Sequence, residues 1–189
     1  MTIAKEIKKA LLKLSKIRPI FHSEADFQFA LALKLKEQDF EIRLEKPYLL
    51  NNKRLRLDIE IHNKKFGKYA IELKYKTKKF STTYNNEEFN LKSHYAQNDG
   101  VFLFWQDADR INKLMEEKQQ LNFKGGFVIF LTNDIKYESN IKELCNHSSG
   151  KLRNDLLPLV ENSKILWENY SVIEEQTEFK FLMLEFPLK

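Results

Sequence analysis

The chain has 189 residues and a formal charge of +5, and 42% of it is hydrophobic, including 15 Phe. That length suits a single domain, 1–189, with a real core, and the composition excludes a disordered or low-complexity chain. No apolar run reaches the ~18 residues of a spanning helix, so no membrane partner is expected. A lone cysteine, Cys145, excludes an internal disulfide and fits a reducing cytoplasm. A zinc site at Cys145 and His147 would lack a second ligand pair.

Residues 2–16 read as an amphipathic helix with Ile3, Ile7, Leu11 and Leu14 on one stripe, which separates this charged opening from a secretory leader. Pro19 breaks it. Ser23 then caps a second helix that runs to about Gln38, with Asp26 three residues beyond the cap. A first strand is expected from Glu41 to Pro47, followed by hairpin strands at 53–62 and 68–76. The Lys-rich and Asn-rich stretch 77–100 reads as a loop with a helix over Glu87–Gln97. Val101–Trp105 is an apolar run of undefined period, and a helix starts at Asp107 with Ile111, Leu114, Met115 and Lys118 on one side. Gly125-Gly126 leads into a buried strand at Phe127–Thr132; a short helix over Ile141–Cys145 and a closing hairpin, Ile165–Ile173 with Glu178–Phe186, complete the order. Together these elements predict an α/β (α+β) fold, a mixed central β-sheet flanked by helices.

Charge is not spread evenly. Residues 53–79 hold ten Lys or Arg against three acids, a net of +7, so the remaining 162 residues sum to −2. Within that basic segment the hairpin alternates with period two. Leu55, Leu57, Ile59 and Ile61 take one face with Tyr69, Ile71, Leu73 and Tyr75; Arg56, Asp58, Glu60 and His62 take the other with Lys68, Ala70, Glu72 and Lys74. A five-residue loop, Asn63 to Gly67, pairs His62 with Lys68 and sets Asp58 directly opposite Glu72. Directly opposed Cβ atoms lie about 4.5–5.5 Å apart, so two carboxylates stand side by side, which destabilises a sheet unless a cation lies between them. The ordinary alternative is a solvated, charged strand face.

Phosphodiester hydrolysis needs an activated water and relief of charge on the transition state, and a divalent metal held by carboxylates supplies both. Asp58 and Glu72 are the expected ligands, with the Leu73 carbonyl as a third oxygen. Lys74 lies about 6.6–6.8 Å beyond Glu72 along the strand, positioned to orient or deprotonate the water or to neutralise the phosphate. Lys76, Lys78 and Lys79 extend the basic ridge, and with Arg56 they are the candidate phosphate contacts. Twenty-six of the 32 basic residues are Lys, which favours backbone binding over base reading. Glu60 either supports the metal ligands from behind, or binds a second metal, or is a solvated strand-end acid, the last being the ordinary reading. Asp107, Asp109 and Arg110 are assigned to helix capping and surface pairing rather than to closing the site.

Leu57-Asp58, then Glu72-Leu73-Lys74 on the next strand, following an acidic helix, resembles the PD-(D/E)xK nuclease superfamily over roughly residues 20–135. Leu57 departs from the Pro that names the motif, and Tyr95 and Gln97 give no match to the polar motif some relatives carry on the next helix. The resemblance implies a restriction-endonuclease-like core and a DNA endonuclease activity, with DNA rather than RNA as partner. Asp58 and Glu72 would then bind Mg²⁺ or Mn²⁺, and Lys74 would assist the water. It also implies that Glu24, in register with Phe27, Leu31 and Leu35, is the helix-borne acid beside the metal; dipole complementation at the helix start is the competing role. A homodimer is implied because duplex cleavage needs two sites. The alternative is a non-cleaving nucleic-acid- or partner-binding domain that keeps the fold.

Overall fold

A computed structural model describes residues 2–50, 53–94, 96–116, 121–143 and 156–187. Cys145, His147 and Tyr95 lie outside the described residues, as does Lys118. The elements are α1 (Ile3–Ser15), α2 (Glu24–Lys36), β1 (Glu41–Leu50), β2 (Lys53–Asn63), β3 (Gly67–Lys76), β4 (Phe80–Tyr84), β5 (Glu87–Leu91), α3 (Gln97–Glu116), β6 (Phe123–Thr132), α4 (Ile135–Asn140), α5 (Leu157–Asn162), β7 (Trp167–Ile173) and β8 (Thr177–Phe186). Six strands form one mixed sheet in the order β1-β2-β3-β6-β8-β7, in which only β3 and β6 run parallel. Among the described residues, no helix is long and apolar enough to cross a membrane.

Local chemistry explains the early elements. The Thr2 hydroxyl accepts from Lys5 N at 3.4 Å to start α1, and the Ser23 hydroxyl accepts from Asp26 N at 3.2 Å to start α2. Ile3, Ile7, Leu11 and Leu14 are all buried, as the stripe requires. Asp39 ends the α2 turn with φ 62°, and Gly67 closes the β2–β3 loop with φ 89°, a conformation glycine adopts without strain. The register of that hairpin pairs His62 with Lys68.

Four expectations are corrected. Where a helix over Glu87–Gln97 is expected, Gln97 opens α3 and Glu87–Leu91 is the second strand of the β4–β5 hairpin. Its two-residue turn, Asn85-Asn86, has both φ values positive (50° and 65°), the geometry that turns two strands back on each other. The uncharacterised run Val101–Trp105 is helical, because α3 begins at Gln97, ten residues before Asp107. The short helix lies at Ile135–Asn140, capped by Asp134, and Ile141 follows it as a turn. Gly125 and Gly126 belong to β6 rather than to the connection before it.

The sheet has a core on each face. Ile59, Ile61, Ile71, Leu73 and Phe127 pack with α1 and α2, while Ala70, Val128 and Phe130 pack with α3. Leu55 and Leu57 belong to the α3 core and Ile59 and Ile61 to the other, so these four side chains do not share a face as their alternation predicts. The same division separates Ile42 and Leu44 from Tyr48 and Leu50 on β1. The cause lies between them: the β1–β2 ladder skips the pair Glu45–Asp58, and Glu45 has φ 51°. Both strands turn over at this point.

Helix α3 crosses between the parallel strands β3 and β6 and packs closely on the second. A Cβ at Gly126 would lie 2.6 Å from Ile111 Cγ2 and 3.2 Å from the Ala70 carbonyl oxygen. Gly126→Ala is therefore expected to destabilise the fold by about 1–3 kcal/mol through overpacking, read as a fall in Tm; an unchanged Tm would contradict this seating of α3.

Candidate metal and catalytic site

Pairing between β2 and β3 runs from Asn63–Gly67 to Ile59–Ile71 and stops. Asp58 and Glu72 would be the next pair in that register, so the predicted opposition falls one step past the end of the ladder. On β3 the amides of Leu73 and Tyr75 point the same way as that of Ile71, toward a strand that has left. A buried amide needs a partner, and two carboxylates replace the missing carbonyls. Asp58 Oδ2 accepts from Leu73 N at 2.7 Å, and Glu24 Oε2 accepts from Tyr75 N at 2.8 Å. Gln28, one turn further along α2, donates to the Asp58 carbonyl at 2.7 Å and to Glu45 Oε1 at 2.8 Å. The kink in β2 is thus fixed from β3, α2 and β1 at once.

The side chains of Glu72 and Lys74 face α3. Lys74 Nζ lies 2.5 Å from Asp107 Oδ2 and donates to the Leu73 carbonyl at 3.3 Å. Arg110 pairs with Asp107 and reaches Glu72 Oε1 at 3.5 Å. Glu72 is 1% exposed and Asp107 3%. Glu72 Oε1 accepts no hydrogen bond among the described residues.

Burial, reinforced by the charges of Asp107 and Asp58, pushes Glu72 well above its ordinary carboxylate range. Asp58 is also raised by burial, although Leu73 N and Glu72 oppose the shift. Asp107 is raised by burial against the pull of Lys74 and Arg110. For Lys74, burial works to lower the pKa, but Asp107, Glu24 and Asp58 outweigh it and hold the ammonium above its ordinary value.

Asp58, Glu72, the Leu73 carbonyl, Lys74 and Glu24 therefore converge. Asp107 and Arg110 join them, contrary to the assignment to capping and surface pairing: Asp107 is ten residues inside α3, buried, and bonded to Lys74. The signal was present, because Asp107 lies four and seven residues before Ile111 and Leu114, in the buried stripe. Gln28 carries the same signal relative to Leu31 and Leu35. Asp109 pairs with Lys113 at 2.6 Å. Glu60 is not a solvated acid; it is 6% exposed and is held by Lys46 at 2.9 Å and by the Tyr48 hydroxyl. Arg56 is exposed on the part of the β1–β2 hairpin beyond the kink. Lys78 and Lys79 are exposed along a cleft of about 310 Å³ with Asn133 and Lys180, and Lys76 lines another of about 320 Å³ beside Glu24.

Among the described residues no group of three or more His, Cys, Asp or Glu side chains is arranged to hold a metal ion. The set at this site is smaller in side chains, two carboxylates and a backbone carbonyl. It consists only of oxygen donors, which suits a hard divalent cation, and the buried Glu72 Oε1, which accepts no hydrogen bond among the described residues and has Arg110 at 3.5 Å, is the atom such a cation would satisfy. No family model matches the chain, and no curated protein and no solved structure matches it.

Protonation of Glu72 has a consequence for stability. A carboxyl raised on folding contributes stability that is fully present below the unfolded value, ordinarily 4.5, and is lost as pH rises through the folded value. In EDTA, wild-type protein is expected to lose stability to urea as pH is raised above 4.5, and Glu72→Gln to lose less of it. Parallel pH profiles for the two proteins would contradict the assignment.

Proposed function

We propose that the protein is a metal-dependent phosphodiester hydrolase, a nuclease acting on DNA. The observation that carries this reading is the buried junction at the end of the β2–β3 ladder. It joins Asp58, Glu72 and the Leu73 carbonyl to an ammonium held charged beside them. Asp58 and Glu72 would hold Mg²⁺ or Mn²⁺ with the Leu73 oxygen; bound there, the ion would activate water and offset charge on the phosphoryl oxygens. Glu24 is committed to Tyr75 N, so its role is to fix the strand that carries Glu72 and Lys74.

Lys74 acts as a cation. An amine held above its ordinary pKa is a poor base at neutral pH, but it neutralises a phosphate or orients a water by donation. Asp107 and Arg110 position it: Asp107 orients the ammonium, and Arg110 offsets the charge of both Asp107 and Glu72. Supporting the resemblance, the motif lies on the two strands of a hairpin that follows a helix, with a parallel strand beyond.

A second reading is favoured by the absence of a three-side-chain metal group among the described residues and by the ion pairs of Lys74 and Arg110. It is a nucleic-acid- or partner-binding domain that keeps this junction without cleaving. Incubation of supercoiled plasmid with Mg²⁺, Mn²⁺ or EDTA separates the two. The nuclease reading predicts nicking or linearisation that EDTA abolishes, that Glu72→Ala and Asp58→Ala remove, and that Lys74→Ala slows by about 10²–10³-fold. Salt-sensitive DNA binding without cleavage under any metal supports the second reading, and cleavage that survives Glu72→Ala contradicts the first.

A further inference from the structure

We infer that the groove beside this site, centred on Lys76 and His94, binds single-stranded nucleic acid, one nucleotide at a time across its width. The inference rests on the nuclease reading for its biological use but not for the binding itself. Two clefts share Lys76 and His94. One, of about 320 Å³, runs from His22 and Glu24 along the β4–β5 hairpin to Asn90 and Lys92. The other, of about 210 Å³, is lined by Ala96, Asp99, Gly100, Leu103 and Tyr137.

Their chemistry differs in the way a nucleotide requires. The first is cationic and polar. Among the described residues neither Lys76 nor Lys92 has an ion-pair partner, so both are available to phosphate. His94 Nδ1 accepts from Thr77 N at 3.0 Å, which places the hydrogen of the neutral ring on Nε2 and leaves that nitrogen to donate. The second is mostly apolar, with one acid, Asp99, in its lining. Tyr137 is fully buried beneath Gly100, and Leu103 remains 38% exposed at the rim, an apolar side chain facing solvent where a base could rest.

Pockets for small ligands hold about 300–1,000 Å³, and the larger cleft is at the bottom of that range, the scale of one nucleotide rather than of a duplex. Lys76 is two residues from Lys74, about 6.6–6.8 Å along β3, so a backbone crossing Lys76 continues toward Glu72 and Lys74. An apolar surface beside a cationic track is the recognition mode of single strands, whose unstacked bases are free to pack on protein.

Fluorescence anisotropy in EDTA, with labelled 12-nucleotide single strands of DNA and RNA and the matching duplexes, tests this without cleavage. Single strands are expected to bind at least about tenfold more tightly than duplex, with Lys92→Ala and Leu103→Glu each weakening binding by about fivefold. Both positions are exposed, and circular dichroism checks that the variants fold. Equal or tighter duplex binding, or single-strand binding unchanged in both variants, overturns the inference even if plasmid is cleaved. Single-strand binding that Lys92→Ala and Leu103→Glu weaken upholds it even if nothing is cleaved.

Discussion

Where β2 turns away from β3, the amides of Leu73 and Tyr75 face a buried space without a strand to pair with, and the rest of the site follows from how they are satisfied. An unpaired buried amide costs as much as a lost hydrogen bond. Here Asp58 and Glu24 supply the acceptors. Using carboxylates for this purpose brings negative charge to the end of the ladder, next to Glu72, which is itself buried. The kink at Glu45–Asp58 is what frees the Asp58 side chain to reach across, and Gln28 holds the kink in place.

Charge balance then governs the chemistry. Among the described residues, Asp58, Glu72 and Asp107 face Lys74 and Arg110 as cations, so ionising all three acids leaves an excess of negative charge in a space that burial has desolvated. Burial and the neighbouring acids raise the Glu72 pKa, which favours a proton there, and the same acids hold Lys74 above its ordinary value. A divalent cation would offset the excess more effectively, because ligands give up their protons on binding metal. On the proposed reading, a proton or a divalent cation at Glu72 would answer the same excess of negative charge.

Much of this was legible from residue patterns. The period-two alternation on both sides of Asn63–Gly67 fixed the hairpin register, and the stripe through Phe27, Leu31 and Leu35 aimed Glu24 inward. Three features were not legible. The turnover of β1 and β2 leaves no trace in alternation, because Leu57 and Ile59 keep their spacing while the backbone between them rotates. The Asn85-Asn86 turn was hidden by acidic residues that favour helix as readily as an exposed strand. Asp107 and Arg110 were read from their immediate neighbours as cap and surface pair, because the true start of α3 lay in an apolar run with no clear period. A charged residue in register with buried apolar ones identifies a site more reliably than its distance from an assumed helix end.

The most direct test of this account is the titration of the Glu72 side-chain carboxyl by ¹³C NMR, assigned with Glu72→Gln, in EDTA and again in Mg²⁺. The account predicts a midpoint well above 4.5 in EDTA and a clear fall when Mg²⁺ is added. A midpoint near 4.5 in both conditions would contradict it, since Glu72 would then be an ordinary solvated acid with no need of a cation.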